Sequence, residues 1–131
     1  MTRSELREEL FKLLFRAEFN DPEEMQEQKK YFFEDLSCSD SNRDELRDKI
    51  DTILSHLDEI DGKLNEKTTG WNTERLGKVE LTILRLAVYE IEYDESVPTS
   101  VAINEAVELA KKFGPDSSHQ FINGVLAKFA K

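Results

Sequence analysis

The chain has 131 residues, 35% of them charged and 38% hydrophobic, with five Gly, three Pro and no low-complexity tract. That is enough apolar material for one domain with a real core, and it excludes wholesale disorder. The net charge of −10 excludes a uniformly basic nucleic-acid binder, but the charge is unevenly spread: residues 1–60 carry −8, residues 61–110 carry −5 and residues 111–131 carry +3. A locally basic segment can still hold a phosphate backbone inside an acidic protein. The single Cys38 cannot form an internal disulfide. Met1 is followed by Thr-Arg-Ser-Glu, not by a charged and then apolar signal segment, so a cytoplasmic location is expected.

Thr2-Arg3-Ser4-Glu5 has capping-box spacing, and Leu6, Leu10, Leu13, Leu14 and Ala17 recur at helical intervals. This predicts a first helix over about 3–19, with Arg3 and Arg7 on one face and Lys12 and Arg16 roughly opposite. Asp21-Pro22 followed by two Glu reads as a helix start. The second helix is predicted to run to about Leu36, with Met25, Tyr31, Phe32 and Phe33 apolar. After a loop at 37–42, a third helix is predicted from about Arg43 to Asp61, buried through Leu46, Ile50, Ile53, Leu54, Leu57 and Ile60, with Gly62 ending it.

Leu64 to Gly70 is predicted to hold one short turn. Trp71 to Leu76 reads as a capped helical turn, with Trp71 in the core. The run Val79 to Ile91 then has no Gly or Pro and is apolar around most of its circumference. A helix of that kind belongs in the middle of the core, with Glu80, Arg85 and Glu90 marking a narrow sector for water or a partner. It is too short and too charged to span a membrane. After a loop at 94–98, Thr99 or Ser100 caps a helix whose apolar side is Val101, Ala102, Ala106, Val107, Leu109 and Ala110. Gly114-Pro115 stops it, and Asp116-Ser117-Ser118 offers caps for a last helix from Phe121 to about Ala130. Asn104 and Asn123 are expected to bond between helices, and Gly124, which costs about 1 kcal/mol against Ala, to permit a close crossing. Nothing reads as a strand. The class is all-α, with about seven helices.

No catalytic constellation stands out. His56, His119 and Cys38 have no local signature of nucleophilic catalysis and no spacing for a metal site. The paired carboxylates are most simply solvated helix faces. Read from the residues alone, the chain is a soluble all-α domain and a binding module.

Three segments carry a resemblance. They are Glu74-Arg75-Leu76-Gly77-Lys78-Val79-Glu80 leading into Ile83-Leu84-Arg85-Leu86-Ala87-Val88-Tyr89-Glu90; Val97-Pro98 followed by Val101 to Lys111; and Phe113-Gly114, Ser118-His119 and Phe121-Ile122-Asn123-Gly124-Val125-Leu126. Together they resemble the NusB family of bacterial transcription antitermination factors, over about residues 71–127. The resemblance implies a single domain over residues 1–131, built as two small helical bundles of about 1–62 and 63–131. It implies binding of boxA RNA together with NusE, the tenth protein of the small ribosomal subunit, in an RNA polymerase complex with NusA and NusG that promotes processive transcription of ribosomal RNA operons. It implies no catalysis, no metal and no cofactor, and it leaves a homodimer open.

Carried over by position, the RNA-binding residues are Arg3 and Arg7 at the N-terminus, Ser117, Ser118, His119, Gln120 and Phe121 at the start of the last helix, and Lys111 and Lys112 beside it. Phe121 and His119 suit stacking on unpaired bases. The NusE-facing positions are Phe15, Glu74 and Glu80. The N-terminus departs from the Arg-rich pattern of the family, because Glu5, Glu8 and Glu9 stand among its arginines. Plainer readings are solvated helix residues for Arg3 and Arg7, core packing for Phe121, a cap for His119 and a water-facing sector for Glu80. Two other functions stay open: a protein-binding adaptor with little RNA affinity, and a detached RNA-recognition domain of a ribosomal RNA cytosine methyltransferase. The latter needs a nucleotide-binding α/β domain that these residues do not contain.

Overall fold

The computed structural model describes residues 1–68 and 76–130. The chain divides into two compact units, Met1–Ser55 and His56–Lys131. All regular structure among the described residues is helical.

In the first unit, α1 (Arg3–Phe15) starts with the expected capping box. Thr2 Oγ1 accepts the Glu5 N–H at 3.0 Å, and the Glu5 carboxylate accepts the Thr2 N–H at 2.9 Å. The bond from the Thr2 backbone holds the Glu5 carboxyl below its ordinary range. Leu6, Leu10, Leu13 and Leu14 form the buried stripe, with Phe11 beside it. The helix ends at Phe15, short of the predicted limit, because the chain tightens into a 3-10 turn over Arg16–Glu18. The Asn20 amide donates to the Arg16 carbonyl at 2.8 Å and satisfies that end.

The next helix, α2 (Pro22–Asp35), has a second reciprocal capping box, Asp21 with Glu24, and Pro22 in its first turn. It buries Met25, Phe32 and Phe33. The third, α3 (Asp40–Ser55), starts three residues before the predicted Arg43 and packs Leu46, Ile50 and Ile53 into the core. Its Arg43 guanidinium donates to the Phe33 and Leu36 carbonyls at 2.6 and 2.8 Å, closing the last turn of α2.

The predicted helix 43–61 is in fact two. Thr52 Oγ1 bonds back to the Asp48 carbonyl and Ser55 Oγ to the Thr52 carbonyl, at 2.8 and 2.9 Å. Such bonds compete with the backbone ladder, and His56 leaves the helical region at φ −117°, ψ 14°. The break comes here, not at Gly62. The second unit opens with α4 (Leu57–Lys67), which runs through Gly62 and ends where the Thr68 hydroxyl donates to the Leu64 carbonyl at 2.9 Å. Helix α4 also occupies most of the segment predicted as a short turn over 64–70. The predicted turn at 71–76, and Trp71 with it, lies outside the described residues but for Leu76.

The central helix is α5 (Lys78–Tyr93), with Leu81 to Leu84 and Leu86 to Ile91 buried. Against it pack α4, α6 (Thr99–Phe113) and α7 (Ser118–Ala127). Its water-facing sector is narrower than predicted: Glu90 is buried, and Arg85 is engaged by Asp61 of α4 through Nε–Oδ1 at 2.9 Å and Nη2–Oδ2 at 2.8 Å. Pro98, not Thr99 or Ser100, stands at the α6 cap; its carbonyl accepts the Val101 and Ala102 N–H groups at 3.0 Å each. The last helix starts three residues earlier than predicted. Asn104, Asn123 and Gly124 are exposed, and a Cβ on Gly124 would meet no atom within 4 Å. Gly124 therefore permits no close crossing, and neither Asn bonds between helices among the described residues.

Candidate nucleic-acid interface

In the first unit, Arg3 occupies the first residue of α1 and is exposed. Its guanidinium forms a two-point ion pair with Glu45 of α3; the Nη1–Oε1 bond is 2.9 Å. The Arg3 bonds, with help from Lys49, hold the Glu45 carboxyl down at about 2. Arg7, one turn later, is 8% exposed and so belongs mostly to the interior. Phe15 ends α1 half-buried, its ring 6.1 Å from Phe11 and 5.2 Å from Phe19. Phe19 is 59% exposed, so the end of α1 carries an apolar surface.

In the second unit, the structure brings together the end of α6 and the start of α7. Lys111 and Lys112 lie in the last turn of α6 and are exposed, where they offset the negative end of that helix. Lys111 reaches Glu108 at 3.4 Å, and the Lys112 ammonium stands 5.6 Å from the Phe113 ring centre. Ser117 and Gln120 are exposed, and His119 and Phe121 are half-buried. The first turn of α7 holds no acidic residue, so its positive end is not neutralised from within. Ser118 differs from its neighbours: it is 3% exposed, and its hydroxyl is buried with no hydrogen-bond partner. Its side chain faces Gly114, where an added Cβ would stand 2.8 Å from Ser118 Oγ. Ser118 therefore sets the spacing of the two helices and does not offer its hydroxyl at the surface.

Of the partner-facing positions, Glu80 is half-buried in the first turn of α5. Its Oε1 lies 3.1 Å from where a Cβ on Gly77 would stand, close to the helix start that a carboxylate stabilises. Glu74 lies outside the described residues. Sequence reasoning missed Glu45, the partner of Arg3, because the two are 42 residues apart and share no periodic signal. No group of His, Cys, Asp and Glu among the described residues could hold a metal ion, and no helix among them is long and apolar enough to cross a membrane.

A profile of the NusB family matches residues 4–131. The transcription antitermination protein NusB of Agathobacter rectalis is 52% identical over 131 residues, covering 99% of this chain and 100% of that protein. The NusB of Lachnoclostridium phytofermentans is 50% identical over 129 residues, covering 98% of each. Among solved structures, NusB of T. maritima superposes with a TM-score of 0.87 at 31% identity, covering 99% of this chain and 91% of that one. A chain of the complex of antitermination factors NusB and NusE with double-stranded RNA gives 0.77 at 27% identity, covering 98% and 97%. With end-to-end identity and a shared all-helical fold, this chain belongs to the NusB family.

Proposed function

We propose that this chain is a transcription antitermination factor that binds boxA-type single-stranded RNA together with NusE and promotes processive transcription of ribosomal RNA operons. The observation that carries the reading is the end-to-end match to antitermination NusB proteins, at 52% identity in one of them. It acts in the cytoplasm, in the polymerase complex with NusA and NusG, and works by binding and not by catalysis. In the second unit, Lys111, Lys112, Ser117, His119, Gln120 and Phe121 contact RNA, while Ser118 positions them. In the first, Arg3 contacts phosphate and the largely buried Arg7 adds positive potential. Phe15, Glu74 and Glu80 face NusE.

The Arg3–Glu45 pair is an obstacle of limited height. Its side chains are 62% and 30% exposed, and such pairs contribute under about 1 kcal/mol, so an RNA phosphate can displace the carboxylate. The same pair favours the adaptor reading as the second choice, because it mutes the N-terminal half of the surface. The methyltransferase-domain reading has no such support.

The test is fluorescence anisotropy of a labelled boxA-type RNA, titrated with this protein with and without NusE at two salt concentrations. Tighter, salt-sensitive binding with both proteins, beyond NusE alone, is the expected result. Unchanged RNA affinity in the presence of this protein, while it still binds NusE, refutes the RNA-binding role and leaves the adaptor.

A further inference from the structure

Four of the nine cations in residues 1–55 line one open groove between α2 and α3. The groove has a volume of about 650 Å³, and its charged lining is Lys29, Lys30, Arg43 and Arg47 against Glu34 and Asp51. Asp51 is already answered by Lys29 at 2.6 Å, and Arg43 is occupied with the last carbonyls of α2. Two cations remain. Lys30 and Arg47 are both exposed and have no carboxylate partner among the described residues.

Arg47 is also held in place. Its guanidinium carbon lies 4.8 Å from the ring centre of Phe33, which the Arg43 guanidinium flanks at 6.0 Å. A guanidinium seated on an aromatic ring presents its planar fork with little entropy left to lose, which suits a phosphate oxygen pair. The groove offers no apolar anchor, because Phe33 is 5% exposed. A bound protein segment would need such an anchor at its centre. A phosphodiester chain needs only charge and a track.

We propose that the groove between α2 and α3 holds the phosphodiester backbone of an RNA strand, separately from the surface assigned above, with Lys30 and Arg47 as the two phosphate contacts and Glu34 as the charge that keeps the affinity moderate. The inference rests on the RNA-binding reading and extends it to nucleotides flanking boxA. The contacts read charge and not bases, so the flanking sequence is unimportant.

The test compares a boxA-type RNA with the same RNA extended by ten uridines, each titrated with the protein in the presence of NusE. The extension is expected to tighten binding about tenfold at low salt and to steepen the salt dependence, since each single-strand phosphate contact adds about 0.7 to the slope of log K against log salt. K30E/R47E is expected to abolish that gain while binding unextended RNA like the wild type, and E34Q is expected to enlarge it. Arg47→Lys, which keeps the charge and loses the fork, should retain part of the gain. Circular dichroism melting checks that each variant is folded, and K30A/R47Q replaces the reversal if it is not. If the extension adds nothing, or K30E/R47E keeps the gain, the groove is not an RNA site although boxA binding stands. If neither RNA binds, both readings fall.

Discussion

Gly114→Ala tests whether the α6–α7 junction is as tight as its geometry indicates. The backbone at Gly114 has φ −94°, ψ 171°, a conformation any residue adopts, so the effect of a methyl group there is steric. The added Cβ would stand 2.8 Å from Ser118 Oγ and 2.9 Å from both Ser118 Cβ and the Ala110 carbonyl oxygen. Ordinary carbon contacts begin at about 3.5 Å. The Ala110 oxygen cannot swing away freely, because it accepts the Gly114 N–H at 2.8 Å. Overpacking of this kind costs about 1–3 kcal/mol, against a gain of about 0.4–1 kcal/mol from a stiffer unfolded chain. The net expectation is a loss of about 1–2 kcal/mol. In urea, with a slope of about 1–2 kcal/mol per molar, the midpoint falls by about 1 M. Equilibrium unfolding followed by far-UV circular dichroism measures it. The double variant G114A/S118G removes two of the three clashes and should recover part of the loss. RNA affinity should fall with Gly114→Ala alone, because the junction sets the spacing of Lys111 and Lys112 from Ser117 to Phe121. A Gly114→Ala protein as stable as the wild type would refute the reasoning.

Three further outcomes follow from the same structure. Ser118→Ala removes a buried hydroxyl with no partner and is expected to be neutral or to stabilise by up to about 1 kcal/mol, read as the urea midpoint; a loss above 1 kcal/mol would mean that the hydroxyl is bonded. Asp61→Ala and Arg85→Ala each break a largely buried two-point pair, 23% and 14% exposed, and should cost about 1–3 kcal/mol; a double-mutant cycle that shows no coupling would dismiss the pair. The Glu45 carboxyl, held by Arg3 at about 2 in the folded chain against an ordinary 4.5, contributes stability that is present above pH 4.5 and lost as pH falls toward 2. With Arg3 largely exposed the contribution is under about 1 kcal/mol, so Glu45→Gln should flatten the acid limb of the stability curve slightly and, by weakening the hold of Glu45 on Arg3, tighten RNA binding; unchanged affinity would place Arg3 outside the site.

The parts of the fold that were legible in the sequence are those decided locally. Thr2 with Glu5, and Asp21 with Pro22 and Glu24, form caps within three residues of themselves, and both helix starts were read correctly. The run Val79 to Ile91 is apolar on nearly every side, and only the middle of a bundle accommodates such a helix. The misreadings arose where a weak local preference met a tertiary environment. Gly62 and Gly124 cost helix stability but break nothing when the flanking turns are well packed, and both sit inside helices with open space where a Cβ would be. The break at His56 came instead from Thr52 and Ser55 bonding back to their own helix, which no periodicity displays.

The candidate site was legible only in part, for a related reason: net charge counts residues, whereas a polyanion meets the cations left over after pairing. Lys12 spends its charge on Glu8 and Glu9, Lys29 on Asp51, Lys49 and Arg3 on Glu45, and Arg85 on Asp61. The partners of Arg3, Lys29 and Arg85 lie a helix away and cannot be paired from the sequence. No spacing in the sequence ties Lys29 and Lys30 to Arg43 and Arg47; α2 and α3 set all four along one groove. On the proposed function, RNA binding by this acidic chain concentrates where the fold gathers exposed cations. Its affinity should therefore depend more on the Lys111–Lys112 turn for boxA-type RNA, and on Lys30 and Arg47 for the extended RNA, than on the overall charge of −10. Removing distant carboxylates should move RNA binding little, and removing Glu34 or Glu45 should move it most.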